Sequence, residues 1–331
     1  MQQNSTLKKL AEILHLSVST VSRALKDHPD ISAETKKKVK ELAAALDYEP
    51  NSFAIHLRTN TSNVLGILVP SVDNFFYDSF IAAVEQEARL NQYSVLIMQS
   101  GESMEAETAN LKLLKNNRIA GIFVSITTET NNIEPFLKLQ ELNIPILFFD
   151  RVPDYGACNK ICLADKVAAK IAAEALIAKQ KKHVLALFGH LNLTISKKRL
   201  DSFRETFESG SPGTKLSIGI PLNVNESKEI TLNALEKSDR PDAIFCMGDL
   251  ILIGAMQAVY EKELKVPEDI SVITISNGFI PTLYNPRITY VETSGYKLGK
   301  LAFKRMMSCL SGNTFLQELT LESVLVQGGS L

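Results

Sequence analysis

The chain has 331 residues, 45% hydrophobic and 22% charged, with a net charge of −1 at neutral pH. That length supports two or three domains with cores of their own, and the composition excludes a disordered, collagen-like or wholly basic nucleic-acid-binding chain. Charge is unevenly placed: residues 1–60 carry nine Lys/Arg against seven Asp/Glu, giving +2, and the remaining 27 and 30 give −3. A mildly basic head on an acidic body permits DNA binding by one part only.

The first 50 residues predict three short helices. Leu7, Leu10, Ala11 and Leu14 fall at i, i+3, i+4 and i+7, one face of a helix, with Thr6 as its cap. Ser17 can cap a second helix with Val18, Val21 and Leu25 on its apolar face. After a loop carrying Pro29, Ser32 can cap a third, with Val39, Leu42, Ala43 and Leu46 inward. Tyr48-Glu49-Pro50 ends it, because the residue before proline avoids the helical region.

From Asn63 the pattern changes to short β-rich runs alternating with amphipathic stretches. Strands are predicted at 64–69, 94–98, 121–126 and 146–149, with helices near 78–91, 104–117 and 133–142 between them. The rhythm restarts with strands at 184–188, 218–222, 243–247 and 271–275. Such alternation implies parallel sheets covered by helices, and the two series, divided near 150–162, predict two α/β lobes with a cleft between them. Ligands of such sheets sit beyond the carboxyl ends of the strands, here followed by residues 70–77, 150–151, 189–199, 248–249 and 276–277.

Cys158, Cys162, Cys246 and Cys309 have no metal-ligand spacing and read as small buried residues of a protein kept in a reducing compartment. The polar N-terminus lacks the apolar core of an export signal, and no run approaches the ~20 apolar residues that span a bilayer, so the expectation is a soluble cytoplasmic protein with no membrane partner. Glycine-rich nucleotide loops and Gly-x-Ser-x-Gly are absent, and the five histidines are scattered, so no catalytic or metal constellation is expected.

Leu7–Leu25, two short helices joined through His15-Leu16-Ser17, matches a helix-turn-helix, whose second helix enters the major groove. Pattern alone equally admits an ordinary helical hairpin with a polar face. Residues 16–25, Leu-Ser-Val-Ser-Thr-Val-Ser-Arg-Ala-Leu, resemble the signature of the LacI/GalR family, as do residues 46–51, Leu-Asp-Tyr-Glu-Pro-Asn. Gly66–Pro70, Asn74–Tyr77, Gly248-Asp249 with Gly254-Ala255, Val266-Pro267 and Asp269–Val272 are similar to later family motifs in the same order.

The resemblance implies an all-α helix-turn-helix head (residues 1–49), a hinge helix and linker (50–61), and a two-lobed periplasmic-binding-protein-like body (62–331) of two doubly wound parallel sheets, used for ligand binding and dimerisation. It implies that Val18, Ser19 and Arg23 face base edges, while Thr6, Ser17, Thr20, Ser22, Ser32 and Tyr48 hold phosphates. Arginine can read guanine bidentately, whereas Val18 offers only an apolar contact. In the hinge, Leu57 would wedge between bases with Ala54 beside it and Asn51 and Arg58 near phosphates; from its residues alone the segment also reads as a solvated linker.

In the cleft, the resemblance implies Phe76 and Tyr77 as a ring-stacking pair, with Asp150, Arg199 and Asp249 as polar contacts. Read singly, Phe76 could be core, Asp150 and Asp249 helix caps, and Arg199 the partner of a neighbouring acid. The chain departs from the family at Ser276-Asn277, where an acid is common, at Asp165-Lys166, Gln180-Lys181 and Val224, and by the added cation Arg151. These departures point to an altered ligand, inclined towards an acidic or phosphorylated sugar. The resulting expectation is a homodimeric transcriptional regulator, not an enzyme, without a cofactor. It would bind a near-palindromic double-stranded operator as a repressor, an activator being the alternative, and answer to a small carbohydrate-type effector.

Overall fold

A computed structural model describes residues 6–48 and 62–331. The chain divides into two compact units, residues 1–62 and 63–331.

In the first unit, α1 (Leu7–Leu14), α2 (Val18–Leu25) and α3 (Ala33–Ala45) each begin at a hydroxyl cap. Thr6 Oγ1 accepts from Lys9 N–H at 3.2 Å, Ser17 Oγ from Thr20 N–H at 3.0 Å, and Ser32 Oγ from Thr35 N–H at 3.2 Å. Each bond satisfies one of the amide donors that a helix start leaves unpaired. His15 ends α1 with φ 52°, turning the chain sharply into the next cap. Leu10, Ala11, Val21, Ala24, Val39 and Ala43 are buried together, with the flanking leucines and Tyr48 half-buried around them. Val18, which periodicity set on the apolar face and the resemblance set towards DNA, is turned outward. It is 44% exposed at the first position of α2, and Ala24 fills the core instead.

The second unit is built on two six-stranded sheets. Sheet one is ordered β11-β5-β4-β3-β1-β2 from β1 (Val64–Val69), β2 (Ser94–Gln99), β3 (Gly121–Val124), β4 (Ile146–Phe149), β5 (Asn159–Leu163) and β11 (Glu318–Leu321). Sheet two is ordered β12-β10-β9-β8-β6-β7 from β6 (His183–Leu187), β7 (Lys215–Gly219), β8 (Ala243–Cys246), β9 (Ser271–Ser276), β10 (Thr289–Glu292) and β12 (Val324–Val326). All pairs are parallel except β10–β12, a departure from the wholly parallel expectation. The central strands are buried on both faces, which is why their sequences are continuous apolar runs.

Helices α4 (Phe75–Leu90), α5 (Met104–Asn116), α6 (Glu134–Gln140) and α11 (Gly295–Leu310) cover sheet one, and α7 (Asp165–Ala178), α8 (Thr194–Gly210), α9 (Val224–Leu235) and α10 (Asp249–Glu261) cover sheet two. Two close crossings require glycine. A Cβ on Gly254 of α10 would overlap the Val224 carbonyl of α9, and one on Gly295 of α11 would overlap the Phe76 carbonyl of α4. The second crossing fixes the first turn of α4 from outside.

The division expected near 150–162 is overturned. β5 lies inside that span and belongs to sheet one, paired with β4, so the chain first crosses between lobes at Ala164. It crosses again between β10 and α11, and a third time between β11 and β12. β7 is displaced from the predicted 218–222 to 215–219; as an edge strand it leaves Ile218 39% exposed, and Leu222 lies beyond it at 60%. Of the cysteines, Cys158, Cys162 and Cys246 are buried and Cys309 is half-buried, all as free thiols. Among the described residues no helix is long and apolar enough to cross a membrane.

Candidate functional sites

On the head, Ser17, Val18, Ser19 and Arg23 are exposed along one side of α2, and Thr20 and Ser22 are half-buried. Ser17 Oγ lies 2.7 Å from Ser19 Oγ and 2.8 Å from Thr20 Oγ1, so the cap is also the centre of a hydroxyl cluster at the start of the helix. A helix start with free amides and hydroxyls suits a phosphate. Arg23 Nη1 stands 3.7 Å from Asp30 Oδ2, an exposed pair that screening keeps weak. Thr6 and Ser32 are exposed at their own helix starts, while Tyr48 leans half-buried on the head core. Asn51, Ala54, Leu57 and Arg58 lie outside the described residues.

In the body, a cavity of about 520 Å³ opens between the two lobes at the carboxyl ends of their strands. Phe76, Tyr77, Asp150, Arg151, Arg199, Asp249 and Ser276, seven residues expected from the sequence, all line it. Asn74 Oδ1 caps α4 through Phe76 N–H at 2.9 Å, which sets Phe76 at the cavity wall. Tyr77 is not the second stacking face expected. Its ring is buried in the core of lobe one, edge-on to Phe149 at 6.1 Å, and only its hydroxyl serves the site. That hydroxyl donates to Asp150 Oδ2 at 3.0 Å and lies 2.8 Å from Ser125 Oγ.

Asp150 follows β4 with φ 55°, a left-handed turn that an aspartate tolerates. Burial raises its carboxyl pKa, against the pull of Arg151, Arg199 and the Tyr77 hydrogen bond. Arg151, the added cation beside Asp150, donates to Glu102 Oε1 at 2.8 Å, and Glu102 Oε2 accepts the Thr128 N–H at 2.8 Å. Arg199 Nε donates to Asp165 Oδ1 at 3.0 Å and Nη1 to the Met247 carbonyl at 2.8 Å. On the floor of lobe two, Ser276 donates its hydroxyl to Asp249 Oδ1 and accepts from Gly278 N–H at 3.0 Å. Burial pushes the Asp249 carboxyl up to about 6, while its bonds from Ser276 and the Asn277 backbone hold it down.

The two lobes touch beside this cavity. Asn277 Nδ2 donates to the Phe75 carbonyl at 2.9 Å, the Phe75 and Phe279 rings lie 5.1 Å apart, and Thr194 Oγ1 donates to the Val152 carbonyl at 3.0 Å. Sequence reasoning missed Glu102, Thr128 and Glu129 because it overlooked the loops after β2 and β3, which follow strand ends as the chosen loops do. His190 and Asn192 lay in a loop it had marked but were not singled out.

Residues 6–51 match the model of bacterial regulatory proteins of the lacI family, and residues 62–319 match the model of periplasmic binding proteins and the sugar-binding domain of the LacI family. The chain is 26% identical over 303 residues to a ribose operon repressor of Halalkalibacterium halodurans, covering 92% of this chain and 89% of the relative. It is 25% identical to the transcriptional repressor PurR of Vibrio atlanticus (92% and 91% covered) and 27% identical to the NTD biosynthesis operon regulator NtdR of Bacillus subtilis (94% of each). In fold it is similar to the lac repressor dimer bound to operator and an anti-inducer, with a TM-score of 0.89 at 24% identity over 99% of both chains. The chain therefore belongs to the LacI family of bacterial regulatory proteins: it is a DNA-binding transcriptional regulator with a sugar-binding-type body, and not an enzyme.

Proposed function

We propose that this chain is a cytoplasmic repressor that binds a near-palindromic operator as a homodimer and is controlled by a small carbohydrate-type effector held between its lobes. The observation that carries this reading is the cavity of about 520 Å³, walled by both lobes, in a chain that also bears a capped helix-turn-helix. Relatives named as repressors, and a similar fold seen as a dimer on its operator, support the sign and the symmetry. Two-fold symmetry in the protein demands two half-sites in the DNA.

On each head, Arg23 and Ser19 would read base edges, Val18 would make an apolar contact, and Thr6, Ser17, Thr20, Ser22, Ser32 and Tyr48 would hold the backbone. Asn51, Ala54, Leu57 and Arg58 would act in the minor groove between the half-sites. In the body, Phe76 would pack against the effector while the polar groups around Asp150, Arg151, Arg199, Asp249 and Ser276 orient it. The effector acts only through a difference in affinity between DNA-competent and incompetent arrangements of the lobes.

The test begins by selecting DNA from a random pool with the purified full chain near physiological salt. Operator affinity is then measured with and without sugars and their derivatives. Enrichment of a near-palindrome whose affinity shifts with one of these compounds supports the reading. An enriched site lacking two-fold symmetry, or one that no compound affects, would sink the dimeric effector-controlled model.

A further inference from the structure

The cavity and its immediate wall carry more carboxylate than cation. Among the described residues, Glu102, Glu129, Asp150 and Asp249 line it with Arg151 and Arg199, and Asp165 lies directly behind Arg199. Both arginines are already answered: Arg151 by Glu102 at 2.8 Å and Arg199 by Asp165 at 2.9 Å. His190 Nδ1 accepts the Asn192 N–H at 3.1 Å. Among the described residues no lysine lines the cavity.

Three of the acids, Glu129, Asp150 and Asp249, take part in no ion pair among the described residues, and they are not equivalent. Glu129 is exposed and accepts the Met104 N–H at 3.1 Å, whereas the other two lie deeper. Asp150 lies in the field of both arginines and holds the Tyr77 hydroxyl. Asp249 meets only neutral donors, the Ser276 hydroxyl and the Asn277 N–H, and no cation offsets its burial. Ser196 belongs to the same cavity wall, and its fully buried hydroxyl has no hydrogen-bond partner, a cost that proteins rarely carry.

Resting on the reading of this cavity as the effector site, we infer that the effector is a polyhydroxylated molecule bearing a protonated amine, an aminodeoxy sugar or aminated polyol. Its ammonium group is held by Asp249 and its hydroxyls serve Asp150. An ammonium brings three donors and the missing positive charge, and a charge-assisted bond in a poorly solvated cavity is stronger than one between neutral groups. A phosphorylated sugar brings about −1.5 to −2 charges into a site whose arginines are already paired, and is rejected.

The test is calorimetric titration of the full chain at neutral pH with hexosamines and pentosamines, their N-acetyl derivatives, the parent sugars and the sugar phosphates. At least one amine is expected to bind. Its N-acetyl derivative and parent sugar should bind roughly 10- to 100-fold more weakly, and its phosphorylated counterpart not at all. Asp249→Asn should abolish the preference for the amine, and the wild-type panel decides the matter even where that variant does not fold. A parent sugar or sugar phosphate binding as tightly as the amine, or no amine binding at ~10 mM, overturns the inference. Binding of a neutral or phosphorylated sugar that shifts operator affinity would leave the proposed function standing. Absence of binding or coupling by every compound would remove both.

Discussion

Arg199 Nε and Nη2 converge on a single oxygen of Asp165, at 3.0 and 2.9 Å, joining the middle of α8 to the first residue of α7. Both side chains are about 5% exposed, and Nη1 is spent on the Met247 carbonyl. An arginine at the wall of the cavity is thus also an internal brace of lobe two. Burial pushes the Asp165 carboxyl up to about 6, and Arg199 pulls it back towards ionisation.

Arg199→Ala therefore does more than change the cavity wall. It strands Asp165 as a buried charge, and the expected cost is about 3–5 kcal/mol of stability. Urea unfolding checks this: the double variant Arg199→Ala, Asp165→Ala should lose less than the sum of the two single changes, because the second removes the stranded charge.

Glu107 is 1% exposed on α5, where it accepts the Thr127 N–H at 3.2 Å and the Thr130 hydroxyl at 2.8 Å. Burial pushes its carboxyl up to about 7 from an ordinary 4.5, against the pull of those two bonds. Between these values the folded chain keeps a proton that the unfolded chain releases. The stability from this group is full below about pH 4.5 and is lost as pH rises through about 7. Glu107→Gln should flatten that fall, so the stability difference between wild type and variant changes by at most about 3 kcal/mol across the window. Denaturant melts of both proteins across this pH range measure it, and parallel curves would exclude the shift.

Ser17 caps α2 and lies on its exposed side, so its two roles can be separated. Ser17→Ala should destabilise the head by about 1 kcal/mol through the lost cap. Ser17→Asp restores the cap and suits the helix dipole, yet sets a negative charge where a phosphate would sit. The aspartate variant should melt like the wild type and bind operator more weakly than the alanine variant does. Equal operator affinity for the two would exclude a phosphate contact at this position.

Arg23 faces Asp30 across 3.7 Å with both side chains more than half exposed, so it can leave that partner for a base at little cost. Arg23→Ala should weaken operator binding by about 1–3 kcal/mol and relax the preference at one position of each half-site, with the melting curve unchanged. Arg23→Lys keeps the charge but loses the bidentate fork, and should retain salt-driven affinity while losing the same preference. Affinities across single-base operator variants distinguish the two.

The head was almost wholly legible in the sequence because what builds it is local. Leucines three and four apart and hydroxyls at positions 6, 17 and 32 specify helices and their starts within one or two turns. Val18 was the exception to periodicity, although the resemblance had already turned it towards DNA. A valine at a helix start satisfies the same periodicity whether it faces the core or solvent, and only the packing of three helices put Ala24 inside. In the body, apolar runs such as Val64–Val69 and Ser271–Ser276 declared themselves as strands, and the loops at their carboxyl ends located all seven proposed effector residues at one cavity. β5, β10, β11 and β12 did not declare themselves, being three to five residues long and defined by pairing with strands up to 158 positions away, as in Lys160↔Glu318. The partners of the charges were equally hidden. That Arg151 is paired with Glu102, 49 positions away, and Arg199 with Asp165, 34 away, could not be read along the chain, and it bears directly on the anionic ligand expected from the sequence. Helix periodicity is set by neighbours along the chain, whereas strand pairing and buried charge pairing are set by neighbours in space, and only the folded lobes bring those together.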